Sequence, residues 1–440
     1  LGEQMFLYNA VLERADANNP VLVCLIGAGK FGSMFLSQVP TTPGLEVIAI
    51  IDLNPEQAKR TCLQVGWPTN LIARTTFSDD INEISSKQEI DVMVEATGNP
   101  IAGISHALFS IKNGWHTVMV NVEADVLAGA YLSKLAQADG LVYSMAYGDQ
   151  PALTCELVEW ARSIGFGIVA AGKGTKYLPS YHSSTPDTVW DYYGLSPAEA
   201  ANAGMNSQMF NSFIDGTKSG LEMAAIANAT NLQAPEDGLL FPPAGVEELA
   251  NVLRPKSIGG FLERKGQVEA VSSLKRNGCK VFGDLRWGVY VVIEATNDYT
   301  ARCFKEYGMN TDDSGRFSAM YKPFHLIGLE LNVSIFSAAL LNKPTGSTQN
   351  FQADVIATAK RELAAGEILD GEGGYMVWGK LVSAKKSVAI GGLPIGLTSG
   401  LKLKRRISSG SPVLWNDIEF DNSLEVFKIR KNMENEFKSG

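Results

Sequence analysis

Hydrophobic and polar positions alternate along the first 150 residues in a strand–helix rhythm. Val21 to Ile26 (VLVCLI) is uniformly apolar and bounded by Pro20 and Gly27, the pattern of a strand buried on both faces. Leu45 to Ile51 (LEVIAII) repeats it and ends at Asp52. Ile90 to Glu95 (IDVMVE) is a third such run, closed by Ala96-Thr97-Gly98. His116 to Asn121 (HTVMVN) and Leu141 to Met145 read as two more. Between them the spacing predicts helices over 30–39, 56–65, 103–113 and 127–139, after a short amphipathic helix over 5–15 that Asn19-Pro20 breaks. Strands alternating with helices at this interval predict a parallel, doubly wound α/β sheet with right-handed crossovers, a Rossmann domain over residues 1–150.

Past Asp149 the rhythm changes. The pattern predicts a helix over 151–164, a strand over 165–171 running into the glycine-rich turn Gly172-Lys173-Gly174, and a loop-rich polar stretch over 178–207. It then predicts a helix over 217–229, a strand over 289–295 and a long apolar helix over 324–342. These elements describe a central α+β domain over 151–350. Residues 351–440 scatter glycines between short β-type runs and suggest a small, turn-rich β domain. Its charged end, with Lys428, Arg430, Lys431 and Lys438, reads as an exposed helix or a frayed tail.

Composition narrows the function classes. The chain has 440 residues, enough for two or three domains. Its formal charge of −9 argues against a binder of nucleic-acid backbones, which needs a basic face. The cysteines Cys24, Cys62, Cys155, Cys279 and Cys303 are odd in number and form no C-x-x-C pair. That argues against a disulfide framework or structural zinc and for a reducing, cytoplasmic compartment. The sequence shows no apolar run of transmembrane length. Glu3, Glu13, Arg14 and Asp16 break up the first twenty residues, unlike a signal peptide.

Gly27-Ala28-Gly29-Lys30-Phe31-Gly32 is a full G-x-G-x-x-G that follows an apolar strand and opens a helix. The first glycine permits the tight turn, the second lets a pyrophosphate approach the backbone, and the third lets helix and strand pack closely. The helix N-terminus then offers amides to the phosphates. Asp52, twenty residues past Gly32 at the end of the next strand, is placed to accept the adenosine ribose hydroxyls. A carboxylate there repels a 2′-phosphate, so NAD is favoured over NADP, although Lys59 and Arg60 nearby soften that argument. Thr97, Gly98 and Asn121 follow later strands at the same sheet edge and are candidates to approach the nicotinamide ribose.

Hydride transfer to or from a carbinol needs a group that polarises the oxygen and carries its proton. Lys218 stands in the turn Asp215-Gly216-Thr217-Lys218, with Glu222 at i+4 on the same helix face. From spacing alone that couple reads as a surface salt pair. Lys173 and Lys176 flank a glycine-rich turn and either bind an anionic substrate group or are solvated. Asp149, in Gly148-Asp149-Gln150-Pro151, is a helix cap, a substrate ligand, or both. Glu123 ends a strand at the cofactor edge or is simply an acid at a helix N-terminus. His325 opens the apolar helix and is either catalytic or a satisfied buried histidine. No metal-ligand spacing is apparent.

Together these segments resemble the homoserine-dehydrogenase-like oxidoreductases with a C-terminal SAF domain, a group that includes 1-deoxy-D-xylulose 5-phosphate reductoisomerase-like enzymes. The resemblance rests on GAGKFG at 27–32, NVEADV at 121–126, GDQPA at 148–152, AGKG at 171–174, FIDGTKSGLEMAAIANAT at 213–230 and YKPFHL at 321–326. AKRELAAGEILDGEGGY at 359–375, GLPIGL at 392–397 and LKRRISSGSPV at 403–413 carry the SAF-like part. It implies a Rossmann domain, a catalytic domain that mediates a homodimer or homotetramer, and a SAF β-clip. It also implies a cleft lined by Lys218, Glu222, Asp149, Glu123, Lys173 and His325. Homoserine dehydrogenases keep a lysine where this chain has Glu123. The residues therefore point to an NAD-linked enzyme acting on a small polyhydroxy or sugar-derived substrate, phosphorylated or not. The alternatives are a metal-dependent reductoisomerase of isoprenoid biosynthesis and a non-catalytic cofactor- or carbohydrate-binding protein.

Overall fold

The computed structural model describes residues 7–84 and 89–439, with side chains up to 437. Glu3, residues 5 and 6 of the expected first helix, and the Lys438 side chain lie outside them. The chain forms two compact units, one of residues 1–153 with 326–349, the other of 154–325 with 350–440.

The first unit begins with α1 (Leu7–Asp16), β1 (Val21–Ile26), α2 (Lys30–Gln38), β2 (Leu45–Ile51), α3 (Pro55–Gln64), α4 (Thr69–Arg74) and β3 (Thr76–Ser78). It continues with β4 (Val92–Glu95), α5 (Pro100–Lys112), β5 (His116–Met119), α6 (Val122–Ala138) and β6 (Tyr143–Met145). The six strands form one sheet in the order β3-β2-β1-β4-β5-β6, all parallel. This is the doubly wound dinucleotide-binding order, whose switch point lies between β1 and β4. Alternate side chains of β1 feed two cores. Val21, Val23 and Leu25 pack with Phe35, Leu36 and Trp67 on one face, and Cys24 and Ile26 with Ile84, Met93 and Trp115 on the other. Burial pushes the Cys24 thiol up to about 12, so it is an inert core group. Helix α6 starts at Val122 rather than near 127, because Asn121 caps it by accepting the Ala124 N–H at 3.1 Å.

Helix α7 (Gln150–Ser163) crosses the boundary and leads to β7 (Gly167–Thr175). The stretch read as loop-rich carries three short helices: α8 (Val189–Tyr193), α9 (Pro197–Asn202) and α10 (Ser207–Ile214). Then follow α11 (Thr217–Thr230), α12 (Leu249–Val252), β8 (Gln267–Ser272), β9 (Val289–Glu294), α13 (Asp298–Glu306) and β10 (Phe317–Lys322). Strands β10-β9-β7-β8 form a mixed sheet in which the β7–β8 pairing is parallel and the other two are antiparallel. Helix α14 (Asn332–Leu341) is shorter than expected and belongs to the first unit, where Ile335 and Phe336 join the Rossmann core.

The C-terminal stretch folds as β11 (Ala353–Ala359), β12 (Val377–Ser383), α15 (Ala384–Ile390), β13 (Lys402–Leu403), β14 (Ile418–Glu419) and α16 (Glu425–Ser439). It is grouped with the second unit, and its β11–β12 ribbon packs on α11. Helix α11 is therefore buried nearly all round, which suits its run of small and apolar residues. The expectation of an exposed or frayed tail fails at α16. Val426, Phe427, Ile429 and Met433 are buried, and Arg430 is fully enclosed, paired with Asp354 at 2.5 Å and Glu434 at 2.9 Å. The charges of this helix lie partly on its packed face, where buried acids compensate them.

Candidate functional site

In the first unit the three fingerprint glycines meet three different constraints. Gly27 has φ +95°, and a Cβ there would lie 2.7 Å from the Ala96 carbonyl oxygen. A Cβ on Gly32 would lie 2.3 Å from the Gly27 carbonyl oxygen, so the helix can follow the strand this closely only without a side chain. A Cβ on Gly29 would meet nothing within 4 Å. The second glycine is not demanded by the protein's own packing, and the space it leaves is where the fingerprint places a pyrophosphate. Gly29 is also the N-cap of α2 and offers no side-chain cap, so the helix's first amides, from Lys30 onward, lack an intrahelical acceptor. Lys30 is exposed, and Phe31 is half-buried against the core.

Asp52 closes the loop from the side. Its Oδ2 accepts the Ala28 N–H at 2.8 Å and its Oδ1 the Asn54 N–H at 2.9 Å. The carboxylate is thus fixed, with lone pairs left on both oxygens. Arg60 is held along its own helix by Gln57, at 3.1 and 2.8 Å.

At the ends of β4 and β5, Asn121 donates to the Asn99 carbonyl at 2.9 Å, tying the turn after β5 to the turn holding Thr97 and Gly98. Gly98 has φ +70° and open space where a Cβ would sit. Glu95, overlooked in the sequence, underlies this turn. It is fully buried; its Oε1 accepts the Thr97 amide at 3.3 Å, is hydrogen-bonded by the Thr97 hydroxyl, and lies 3.2 Å from His106 Nδ1. Its Oε2 has no hydrogen-bond partner among the described residues. A glutamate ending an otherwise apolar buried strand was the available signal. Glu123, in the first turn of α6, and Asp149, just before α7, are both buried, and Asp149 Oδ1 accepts the Gln150 N–H at 2.8 Å.

The second unit holds Lys173, Lys218, Glu222 and His325. Lys173 does not stand in a turn: β7 runs through it to Thr175, and the residue is only 4% exposed. The flanking glycines serve close backbone approach instead. Cβ atoms on Gly172 and Gly174 would lie 1.9 Å from the Glu269 carbonyl oxygen and 1.8 Å from that of Leu285. Glu222 is 2% exposed and forms an ion pair with Lys173, so the surface-pair reading of this helix face is corrected. Lys218 is half-exposed at the N-terminal turn of α11, four residues before Glu222. His325 neither opens a helix nor is buried. It lies in the segment after β10, with Nδ1 2.7 Å from the Trp287 carbonyl, which leaves Nε2 able to accept a proton.

Beside the Lys218 turn lies a polar cluster that sequence reading missed. Asp215 is fully buried, accepts the Thr217 N–H at 2.9 Å and pairs with Lys360 at 2.8 Å. Lys360 also donates to the carbonyls of Ser184 (2.8 Å) and Gly374 (2.7 Å). Thr217 Oγ1 accepts the Gly379 N–H at 2.8 Å. His182 lies 2.7 Å from the Asp215 carbonyl and 2.8 Å from the Tyr177 hydroxyl, and stacks on Trp378. Burial holds His182 down to about 4, against the pull of the Asp215 carbonyl, so it is neutral at physiological pH. Glu269 in β8 is buried among the amides of Leu240, Phe241 and Ala270, and burial outweighs those bonds and pushes it up to about 7. Among the described residues no three His, Cys, Asp or Glu side chains gather as metal ligands, and no helix is long and apolar enough to cross a membrane.

Comparison with known proteins gives two matches along the chain. Residues 21–121 match the GFO/IDH/MocA oxidoreductase family with its NAD-binding Rossmann fold, and residues 148–331 match the catalytic domain of oxidoreductase DRL. The chain thus joins an NAD-binding Rossmann domain of oxidoreductase type to an oxidoreductase catalytic domain. No curated protein sequence matches this oxidoreductase. Among solved structures it is similar to a 3-ketoreductase from Actinomadura kijaniata in complex with NADP, at 16% identity over 37% of this chain and 50% of that one, with a TM-score of 0.26. It is similar to dihydrodipicolinate reductase from Paenisporosarcina sp. TG-14, at 11% identity over 74% of this chain and 97% of that one, with a TM-score of 0.35. A levoglucosan dehydrogenase in complex with NADH and L-sorbose aligns at 20% identity over 38% of this chain and 46% of that one, with a TM-score of 0.28. The oxidoreductase spans half the length of the ketoreductase. These overlaps carry no argument about its chemistry.

Proposed function

We propose that this oxidoreductase prefers NAD and moves a hydride to or from a carbinol of a small polyhydroxy or sugar-derived substrate. The observation that carries the reading is the open space at Gly29 beside a carboxylate, Asp52, that two backbone amides hold in place. Gly27, Gly29 and Gly32 with the amides of Lys30 and Phe31 would hold the pyrophosphate at the start of α2. Asp52 would accept the adenosine ribose hydroxyls and repel a 2′-phosphate. Thr97, Gly98 and Asn121 would border the nicotinamide ribose. When bound, the cofactor supplies the hydride acceptor or donor, and the protein supplies orientation and proton transfer.

For the proton, Lys218 is the best-placed group. It is half-exposed, and its turn is fixed from beneath by Asp215, Thr217 and the β11–β12 ribbon. The Lys173–Glu222 couple, one helical turn on, seats α11 against β7. Asp149 and Glu123 are candidate ligands for substrate hydroxyls, and His325 a second proton carrier through Nε2. The same reading treats residues 351–440 as a SAF-like module and the active species as a homodimer or homotetramer.

The test is a screen of polyols, tetronates and sugar phosphates for NADH formation or consumption, repeated with Lys218→Ala. Removing a general acid–base group costs about 100-fold or more in rate. Turnover of some substrate that falls by that factor in Lys218→Ala, with NAD binding retained, is the expected result. Equal turnover by the variant would refute the assignment of Lys218.

A further inference from the structure

We infer that Lys176, Lys280 and Arg286 form a subsite for a phosphate-class dianion at the carboxyl end of β7. Three separate segments deliver these cations. Lys176 follows the last residue of β7. Ser273 N–H donates to the Thr175 carbonyl at 2.8 Å and Val281 N–H to the Ser273 carbonyl at 2.9 Å, which lays a hairpin alongside with Leu274 bridged to Lys280. A Cβ on Gly174 would lie 2.9 Å from the Arg286 amide, so the Arg286 backbone also passes against β7.

Among the described residues no carboxylate forms an ion pair with any of the three. Lys176 Nζ donates to the Tyr192 carbonyl, and the Arg286 guanidinium lies over the Trp287 ring, 4.7 Å from its centroid. The nearby Asp284 carboxylate accepts the backbone N–H of Arg286 at 3.0 Å. Both other cations bear on Lys176: its ammonium is held below its ordinary range, first by burial and then by Arg286 and Lys280. Uncompensated like charges at a half-buried position oppose folding. A dianion bound between them reverses that cost and gains charge-assisted hydrogen bonds from a planar guanidinium and two ammoniums. A substrate phosphoryl group and free phosphate share this chemistry.

The inference stands on the second unit alone, so its test is separable from cofactor binding. Melting temperature is followed against inorganic phosphate, ribose 5-phosphate and ribose, each at matched ionic strength, for the wild type and for Lys280→Gln/Arg286→Gln. Phosphate and ribose 5-phosphate should stabilise the wild type at millimolar concentration while ribose does not, by mass action. The double variant should need at least tenfold more of either anion, and its ligand-free melting temperature should not fall, because repulsion is relieved. Tighter binding of ribose 5-phosphate than of phosphate assigns the subsite to a substrate, and equal binding to the free ion; either supports it. No anion response beyond that of sodium chloride, or an unchanged response in the double variant, overturns it. An NAD titration alongside separates the readings: loss of the NAD response alone strikes the cofactor reading and leaves the subsite intact.

Discussion

Replacing Lys360 with methionine removes the ammonium that, among the described residues, forms the ion pair with Asp215. Both side chains are almost fully enclosed, at 2% and 0% exposure, and lie 2.8 Å apart. Breaking such a pair from one side leaves an uncompensated buried charge, at a cost of about 3–5 kcal/mol. The carbonyls of Ser184 and Gly374 lose a donor as well. The variant also acquires a pH signature. Burial pushes the Asp215 carboxyl up, and Lys360 opposes it. Without Lys360 the folded value stands well above the unfolded one, so stability is fully present below the unfolded value and is lost as pH rises through the folded one. Lys360→Met should therefore be less handicapped at pH 5 than at pH 8 in urea unfolding followed by tryptophan fluorescence. Adding Asp215→Asn should restore most of the loss at pH 8 and flatten the difference. A single variant within about 1 kcal/mol of the wild type, or a double variant as unstable as the single, would refute the reasoning.

Three further outcomes follow from the geometry. Glu269 is raised by burial to about 7, so its contribution to stability is present at low pH and lost as pH rises through about 7. Glu269→Gln should flatten the unfolding profile between pH 5 and 8, with a differential of about 3 kcal/mol, and parallel profiles would contradict this. Asp52→Asn should weaken NAD and narrow its advantage over NADP in titrations of both cofactors; an unchanged ratio would remove Asp52 from the recognition argument. Gly32→Ala places a methyl group 2.3 Å from the Gly27 carbonyl oxygen, so the melting temperature should drop even without cofactor.

The Rossmann half was legible because its signals are local. An apolar run bounded by glycine or aspartate forms a buried strand, and the first and third fingerprint glycines, Gly27 and Gly32, sit where backbone geometry demands them. The second unit was harder because its signals are long-range. Gly172-Lys173-Gly174 was read as a turn, whereas its glycines answer to β8 and the segment before β9. Lys173 stood between an anion ligand and a solvated cation because its partner, Glu222, is distant in sequence, and Lys360 gave no signal because Asp215 is equally distant. Arg430 misled in the same way, since Asp354 lies in a different element. The short β8 and β10 escaped notice because their alternation is weak outside the sheet. Glu95 was missed because a single acid in an apolar run carries no periodicity.

The central claim is that the open second glycine marks where a pyrophosphate sits. It is tested most directly by titrating NAD calorimetrically into the wild type and into Gly29→Val. A Cβ at Gly29 would meet nothing within 4 Å, so the account predicts a melting temperature little changed together with loss of NAD binding. A variant that binds NAD as well as the wild type does would contradict it.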